Sequence, residues 1–497
     1  MPEVAAAVRA PMSASASASY QSAVPQAPMT LASAVVDDVH QAVSGGLDIL
    51  GPQPEREYEY PFYMNMDGLI EPPRVLHVRC DESIAAGEHV LSDGETLPYN
   101  GYSKGGLEVI YQAFDDYGQP CKYPFSPYTP RIGSGKNEWP SGSQFIWRSA
   151  VPGHRVEFHS DSSFAKLRLA GDRPDRRFHF EMRDIELHFD QADNVVGALH
   201  MNMTPSGAGL LTVVVRNSYV SGGRNALFIP PGNTMLYVED SEIGRNVGKN
   251  VEQEHGVYLN RILSSHWKNS TVFGQRASGP YGGHQLKDKS YLRIYEDLEI
   301  TNFGGVLEPS NRPLLDINLL AFTWVDGLKI TRVETESPRD ALIDIRNDKY
   351  RPDDHLPFSA VTTDEWTMPM CPGEPIPAGL LRDVSLSVFR NVETDSFRTE
   401  PFITRLKAMP QDHKEDGVGP VFIGDVPVEK QRAIALAFSP QHSAESFFSD
   451  ENYVYVDPDI PAAEQALVSD METFVRHAFD LAIDADPAND WPLPWRD

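Results

Sequence analysis

The sequence predicts an all-β chain whose central part is a β-solenoid, preceded by an irregular region and followed by a short helix. The 497 residues include 40 prolines and 36 glycines, which suits short strands separated by turns better than a helix bundle. Short apolar segments recur at a nearly constant interval between residues 198 and 345. A TIM barrel or a doubly wound sheet needs an amphipathic helix in every unit, and these intervals leave no room for one.

The repeat consists of one set of short alternating apolar segments and a second set of segments that each begin with a polar pair. The alternating segments are ALHM at 198–201, ALFI at 226–229, GVYL at 256–259, HQLK at 284–287, LDIN at 315–318 and LIDI at 342–345. Their starting positions differ by 28, 30, 28, 31 and 27 residues. The pairs are Asn217-Ser218, Asp240-Ser241, Asn269-Ser270 and Asp297-Leu298. A period near 29 residues without intervening helices is typical of a β-solenoid.

Composition divides the chain into four regions. Residues 1–52 form a flexible Ala/Ser/Pro-rich tail with a short amphipathic helix at 31–43, and residues 53–150 form a loop-rich region that covers the solenoid. Residues 151–400 carry the solenoid, and residues 401–497 form an acidic C-terminal region. Within the last region, apolar residues at helical spacing predict a helix over 461–482, which we expect to cap an open end of the solenoid.

The charge balance and the cysteines restrict the partners and the compartment. With 43 basic and 71 acidic side chains, the net charge of −28 argues against nucleic acid as a partner. No apolar run approaches the roughly 20 residues of a membrane span, and the N-terminus has no recognisable signal peptide. The three cysteines, Cys80, Cys121 and Cys371, are far apart, so we expect free or buried thiols. The compartment stays open, and the candidates are extracellular and virion-associated locations.

Alternation along the repeating segments predicts which side chains face the core. The predicted inward residues are Leu199, Met201, Leu227, Ile229, Val257, Leu259, Leu286, Leu315, Ile317, Ile343 and Ile345. One predicted outward column contains His200, Phe228, Tyr258, Gln285, Asp316 and Asp344. The neighbouring outward column contains Asn202, Pro230, Asn260, Lys287, Asn318 and Arg346. A polar and aromatic face with a regular repeat is suited to an extended polymer, which also repeats along one axis.

Two stretches of the repeat, EHGVYLNRILSSHWKNSTVFG at 254–274 and GGHQLKDKSYLRIYEDLEITNF at 282–303, carry a family resemblance. An HGxY strand, an Asn-Ser strand and a GHxxK strand in this order resemble the right-handed parallel β-helix proteins of the pectate-lyase-like superfamily. The resemblance implies a single-stranded right-handed parallel β-helix and a carbohydrate-active protein. It leaves the activity open, because this fold serves lyases, hydrolases, esterases, epimerases and phage tailspikes. No cofactor is predicted: Ca²⁺ stays conceivable for this fold, but the carboxylate cluster of pectate lyases has no recognisable counterpart.

The charge distribution favours a lyase that acts on an anionic, uronate-containing polysaccharide. Between 241 and 293 the sequence contains eight Lys and Arg residues and four Asp and Glu residues, which gives a local charge of +4 in an acidic chain. β-Elimination needs a cation that neutralises the uronate carboxylate and a base that removes the C5 proton. The residues that we expect to supply these roles are Lys287, Tyr258, His255, Arg276 and Lys289. His284 alternates with Leu286 and is expected to be an interior histidine.

Two alternatives stay open. A glycoside hydrolase needs two carboxylates about 5–10 Å apart, and Asp316 with Asp344 would supply them from successive repeats. A non-catalytic phage tail or assembly protein would bind glycans on the same face and form a homotrimer or larger assembly through its N-terminal region. In each case the polymer would contact a common set of residues: Asn260, Gln285, Asp316, Asn318, Asp344 and Arg346.

Overall fold

The computed structural model describes most of the region that carries the repeat. The described residues are 59–72, 75–80, 88–90, 96–98, 106–125, 131–132, 140–170, 175–203, 205, 209–245, 254–274, 283–301, 315–318, 322–331, 343–346, 386–394, 403–407, 421–423, 454–455, 471–485 and 493–495. All of them belong to the unit Arg56–Asp497. The predicted N-terminal tail and the helix at 31–43 lie outside them.

The described residues are strands almost throughout, with a single helix near the C-terminus. The first strands are β1 (Val75–Val78), β2 (Glu88–Val90), β3 (Thr96–Pro98), β4 (Gly106–Tyr111), β5 (Lys122–Pro124), β6 (Arg131–Ile132), β7 (Ser143–Ser149), β8 (Val156–His159), β9 (Leu167–Ala170), β10 (Arg177–Arg183) and β11 (Ile185–Phe189). The central strands are β12 (Gly197–Asn202), β13 (Leu210–Arg216), β14 (Tyr219–Gly222), β15 (Asn225–Ile229), β16 (Gly232–Glu239), β17 (Glu242–Gly244), β18 (Val257–Leu259), β19 (Ile262–Lys268), β20 (Thr271–Phe273), β21 (Leu286–Asp288) and β22 (Leu292–Thr301). The last elements are β23 (Leu315–Asn318), β24 (Phe322–Thr331), β25 (Ile343–Arg346), β26 (Leu386–Thr394), β27 (Ile403–Lys407), β28 (Val421–Ile423), β29 (Val454–Tyr455) and helix α1 (Met471–Ala485).

These strands form two long parallel sheets. A nine-stranded sheet has the order β27-β25-β23-β21-β18-β15-β12-β9-β6, and the other sheet contains 18 strands. In the centre of the chain, each repeat adds one strand to the nine-stranded sheet and then two segments to the 18-stranded sheet, for example β12, β13 and β14. The small antiparallel pair β2–β3 stands apart from both. Within the described residues, no helix connects these parallel strands, which agrees with the all-β class that the sequence predicts.

The predicted repeating segments lie in the nine-stranded sheet, in neighbouring strands, as expected. Successive Cα partners across this sheet are Leu199, Leu227, Val257, Leu286, Leu315 and Ile343. The intervals between these partners are 28, 30, 29, 29 and 28 residues. The predicted outward column was wrong by two residues at this strand, because Tyr258 pairs with Lys287 and not with Gln285.

Three of the predicted polar pairs form the turn between two strand segments of the 18-stranded sheet, and the fourth, Asp297-Leu298, lies within β22. The first residues of the pairs have positive φ, between 40° and 51° at Asn217, Asp240, Asn269 and Asp297. Asn and Asp tolerate this left-handed conformation better than other residues with a side chain. The second residues form a ladder: the backbone N–H of Ser218 donates to Ser241 Oγ at 3.1 Å, and that of Ser241 donates to Ser270 Oγ at 3.2 Å. The turn therefore repeats in three successive strand pairs, β13–β14, β16–β17 and β19–β20, and helps to fix their register.

The apolar core lies between the sheets. The inward residues Leu199, Met201, Leu227, Ile229, Val257, Leu259 and Leu286 are fully buried in it, as predicted. The side chains of Leu315, Ile317, Ile343 and Ile345 lie outside the described part of the chain. From the 18-stranded sheet, Leu236, Trp267 and Tyr295 complete the core.

One inward position in the nine-stranded sheet carries a carboxylate instead of an apolar side chain. Asp288 pairs with Leu259 in the register and is fully buried. It accepts hydrogen bonds from Tyr295 Oη at 2.9 Å, from the backbone N–H of Ser290 at 2.8 Å, and from the hydroxyl groups of Ser265 and Ser290. Since a buried carboxylate is tolerated only when its oxygen atoms are paired, this cluster is a structural unit of the core.

Helix α1 occupies a different place from the one predicted. Phe474 contacts Phe322 and Trp324 of β24, with ring centroids 5.9 and 5.5 Å apart. Phe322 and Trp324 alternate with the core residue Val325, so they point away from the core. The helix thus covers the outer face of the 18-stranded sheet at β24, and the prediction that it caps an open end was wrong. Residues 461–470 of the predicted helix lie outside the described residues.

Cys80 and Cys121 form a disulfide bond with their Cα atoms 5.4 Å apart, which corrects the expectation of free thiols. Pairing of β1 with β4 brings together residues that are 41 positions apart in the chain. Cysteine count and spacing could not reveal this, because the contact depends on the strand register.

Reduction of this disulfide should destabilise the protein. Closing a loop of 41 residues removes chain entropy from the unfolded state worth about 4 kcal/mol. We expect urea unfolding to show a lower free energy of unfolding with dithiothreitol than without it. The effect of the reductant should vanish in Cys121→Ser and persist in Cys371→Ser, and the reverse result would refute the pairing.

The strand register can be tested with two adjacent residues. Leu286→Ala should lower the free energy of unfolding by roughly 2–5 kcal/mol, because it opens a cavity in the core. Lys287→Ala should change it by about 0.5 kcal/mol or less, because Lys287 lies half-buried on the outer face. Equal effects of the two substitutions, measured by urea unfolding, would contradict the observed register.

Candidate functional site

The candidate site is the outer face of the nine-stranded sheet, where one column of side chains continues from strand to strand. The column contains Arg168, His200, Phe228, Tyr258 and Lys287, each paired with the next in the register, and the backbone register continues from Lys287 to Asp316 and Asp344. Lys287, and not Gln285, is therefore the neighbour of Tyr258. The prediction that Gln285 faces outward was wrong, since its side chain is fully buried beside Gly256.

Rings and a cation contact one another along this column. The ring centroids of His200 and Phe228 are 5.2 Å apart, and those of Phe228 and Tyr258 are 5.6 Å apart. Lys287 Nζ lies 5.5 Å from the centroid of the Tyr258 ring, within the range of a cation–π interaction. Phe228, Tyr258 and Lys287 are half-buried, so they present both a ring face and a positive charge at the surface.

Two histidines lie at the edge of this column. His255 is buried, stacks on His284 with ring centroids 5.3 Å apart, and contacts the Tyr258 ring at 5.2 Å. The backbone N–H of His284 donates to His255 Nδ1 at 3.1 Å, so a neutral His255 carries its proton on Nε2. His284 is buried, as expected of an interior histidine.

Glycine at position 256 allows this stacking. A Cβ atom there would lie 2.6 Å from the carbonyl oxygen of Gln285, too close for any residue with a side chain. The backbone N–H of His255 also donates to Asn225 Oδ1 at 3.0 Å, which ties the histidine to the preceding repeat. The HGxY motif thus combines a close approach of two strands with a fixed imidazole.

The remaining predicted site residues lie in the next column or outside the described residues. The register extends from Leu259–Asp288 to place Lys289 beside Asn260, and the backbone N–H of Lys289 donates to the Leu259 carbonyl at 3.0 Å. Asn318 is paired with Arg346 in β23 and β25. Asp316 and Asp344 are Cα partners, as the hydrolase hypothesis requires. The structure does not describe Arg276 or the side chains of these four residues of β23 and β25.

The basic segment 241–293 does not form one surface. Arg293 is fully buried and donates to Thr323 Oγ1, Lys268 lies 3.6 Å from Glu239 on the other sheet, and Arg245 pairs with Asp190. Within the described residues, that segment contributes only Lys287 and Lys289 to the outer column and its neighbour. The sequence reasoning missed Lys166 and Arg168, which lie at β9 and add positive charge at the other end of the column.

A second cluster of titratable residues lies on the outer face of the 18-stranded sheet. Glu181 is fully buried, accepts a hydrogen bond from Tyr60 Oη at 2.7 Å, and lies 3.0 Å from Arg183 Nε and 3.6 Å from Arg216 Nη1. His179 Nε2 lies 3.3 Å away. Burial by itself would raise the pKa of Glu181, but the hydrogen bond with His179 and the charge of Arg183 lower it to about 2.

This cluster attaches residues 59–64 to the sheet. Arg216 donates to the Glu59 carbonyl and lies over the Tyr60 ring at 4.6 Å, while Tyr63 Oη lies 3.0 Å from His266 Nδ1. Glu181 and Arg216 have no exposed surface that a substrate could contact. The cluster is therefore suited to stabilisation, and the half-buried column on the nine-stranded sheet remains the candidate site.

Within the described residues, no group of three or more His, Cys, Asp or Glu side chains is arranged to hold a metal ion. No helix among them is long and apolar enough to cross a membrane.

The comparisons with known proteins give no match: no protein-family model, no curated protein and no solved structure is significantly similar to this chain.

The Glu181 cluster should make stability depend on pH below the ordinary carboxyl range. Because the folded-state pKa of about 2 lies below the ordinary value of 4.5, the contribution of Glu181 is complete above pH 4.5 and is lost between pH 4.5 and 2. Its size is about 3 kcal/mol. In Glu181→Gln this contribution is absent, so the difference in unfolding free energy between wild type and variant should shrink as the pH falls. A constant difference in urea unfolding from pH 7 to pH 2 would contradict the assignment.

Proposed function

We propose that the two parallel sheets are the faces of a right-handed parallel β-helix similar to the pectate-lyase-like superfamily. Three features support this fold: strand partners about 29 residues apart, three strand segments in each repeat, and a core between the two sheets. Repeats that stack in this way give every outward residue a partner directly above and below it. The outer column is then a linear surface parallel to the long axis of the molecule.

We further propose that the protein is a polysaccharide lyase that cleaves an anionic, uronate-containing polymer by β-elimination. The observation that carries this proposal is the column itself, in which Arg168 and Lys287 flank the rings of His200, Phe228 and Tyr258. Four strand spacings separate the two cations, about 19 Å. Aromatic rings suit the apolar faces of sugars, and cations suit their carboxylates, so an extended polyanion fits this surface.

The chemistry at Tyr258 and Lys287 follows from their contact. The Lys287 ammonium group would neutralise the uronate carboxylate, which acidifies the proton at C5. Tyr258 Oη, in its deprotonated form, would accept this proton, and the electron pair would form the C4=C5 double bond as the C4–O bond breaks. The protonated Tyr258 would then pass this proton to the leaving oxygen, which restores the starting form of the tyrosine, and His255 would hold the tyrosine ring in place through its 5.2 Å contact.

A glycoside hydrolase is the second candidate, because Asp316 and Asp344 are Cα partners in neighbouring strands. Strand spacing brings two such residues to about 4.8 Å in the backbone, close to the separation that retaining glycosidases use. A glycan-binding protein without catalysis would use the same column.

The decisive experiment is incubation with a panel of uronate-containing and neutral polysaccharides. Elimination yields an unsaturated product that absorbs in the near ultraviolet, and we expect this product from at least one uronate polymer. New reducing ends without the absorbance would replace the lyase by the hydrolase, and Asp344→Asn should then abolish the activity. Binding without any product would leave only the glycan-binding function.

Matched variants test the roles of the two residues. Lys287→Ala should lower turnover by roughly a hundredfold or more, and Tyr258→Phe should abolish elimination while keeping polymer binding, because it retains the ring. Lys329→Ala is the control, since Lys329 lies on the other sheet, 3.8 Å from Glu299. Full activity of Lys287→Ala with an intact fold would exclude this residue from the site.

A further inference from the structure

The end of the outer column near Arg168 contains a buried histidine, His200, whose ring nitrogen atoms are unpaired within the described residues. His200 is only 8 % exposed, and neither of its ring nitrogen atoms has a hydrogen-bond partner in the described part of the chain. Most buried polar groups in proteins are paired, so an unpaired buried imidazole points to a ligand or another function. Phe228 contacts one side of the ring at 5.2 Å and supplies no polar atom.

Two cations lie on the other side of His200. Arg168 is its Cα partner in β9, and Lys166 precedes it by two residues. The residues between and beside them, Ala165, Leu167 and Leu169, are buried in the core, so Lys166 and Arg168 share the outward face with His200. Burial, followed by the charges of Arg168 and Lys166, lowers the pKa of His200 to about 4. At neutral pH the ring is therefore uncharged and offers one N–H donor beside the two cations.

We propose that Lys166, Arg168 and His200 form an oxyanion-binding subsite that holds a carboxylate or sulfate group of the glycan. This inference rests on the proposed function and narrows its substrate class. His200 and Lys287 are three strand spacings apart, about 14 Å, so the two positive regions would hold two acidic groups of one chain. The preferred substrate is then a polyanion with several acidic sugars and not a polymer with a single isolated uronate. Lys and Arg provide charge-assisted hydrogen bonds, and His200 adds a neutral donor.

The subsite can be tested without any enzyme activity. Full-length protein with isotope-labelled histidine would be titrated with inorganic sulfate and, separately, with monomeric glucuronate, with sodium chloride at equal ionic strength as the control. The His200 ring signal is identified by its loss in His200→Phe, which keeps a buried ring and removes both nitrogen atoms. We expect a saturable shift of this signal and a rise in the pKa of His200 when the anion binds. The response to sulfate compared with glucuronate shows which oxyanion the subsite prefers.

Two variants separate this subsite from the catalytic proposal. Arg168→Gln should weaken anion binding at His200 by roughly tenfold or more, whereas Lys287→Ala should leave it unchanged. In calorimetry, long uronate oligosaccharides should bind Arg168→Gln and His200→Phe roughly tenfold more weakly than wild type. Lys329→Gln serves as the charge-matched control.

The outcomes are distinct. Anion binding at His200 in a protein that cleaves no polysaccharide would refute the lyase and keep the subsite. Cleavage with unchanged oligosaccharide affinity in both Arg168→Gln and His200→Phe would keep the lyase and refute the subsite. A glycan subsite would likewise be refuted if sulfate binds at His200 but its presence does not weaken oligosaccharide binding in calorimetry. Should Arg168→Gln fail to fold, His200→Phe decides the question alone.

Discussion

Parallel backbone hydrogen bonds between neighbouring repeats decide which side of each strand meets the core. A slip of one residue between Val257 and Leu286 would move Lys287 into the apolar interior and expose Leu286. The left-handed turn residues and the serine ladder oppose such a slip, because each serine N–H reaches the hydroxyl of the next repeat only in one alignment. The core and the candidate site therefore depend on the same register, and a mutation in the ladder would affect both.

The sequence was sufficient to predict the repeat, the class of fold and the inward residues from Leu199 to Leu286. These depend on a period and on alternation, which are local properties of the chain. The outward column was misaligned at one strand, and Asp288 explains why. This carboxylate occupies an inward position that the pattern reserves for an apolar residue, and its partners Ser265 and Tyr295 come from the other sheet. No one-dimensional pattern indicates that a buried aspartate will be satisfied in this way.

Charge along the sequence was a poor guide to charge on the surface. One repeat distributes its residues over the interior and the outer faces of two sheets, so neighbours such as Lys268, Lys287 and Arg293 end in three different environments. The cations of the candidate column come instead from residues about 120 positions apart, Arg168 and Lys287. The distance between these two cations depends on the number of strands between them, which is known only once the strand order is known. The disulfide between Cys80 and Cys121 escaped prediction for the same reason.

A net charge of −28 opposes an anionic ligand at long range, but at contact distance the local cations dominate. At physiological ionic strength, charges more than about 8 Å apart are largely screened, whereas contacts at hydrogen-bond distance are not. A polyanion would therefore meet weak repulsion during its approach and strong attraction only when it lies in the column. Such an arrangement disfavours loose association of acidic polymers elsewhere on the surface. It concentrates recognition where the spacing of acidic groups matches the spacing of the two positive regions, so selectivity would come from geometry more than from total charge.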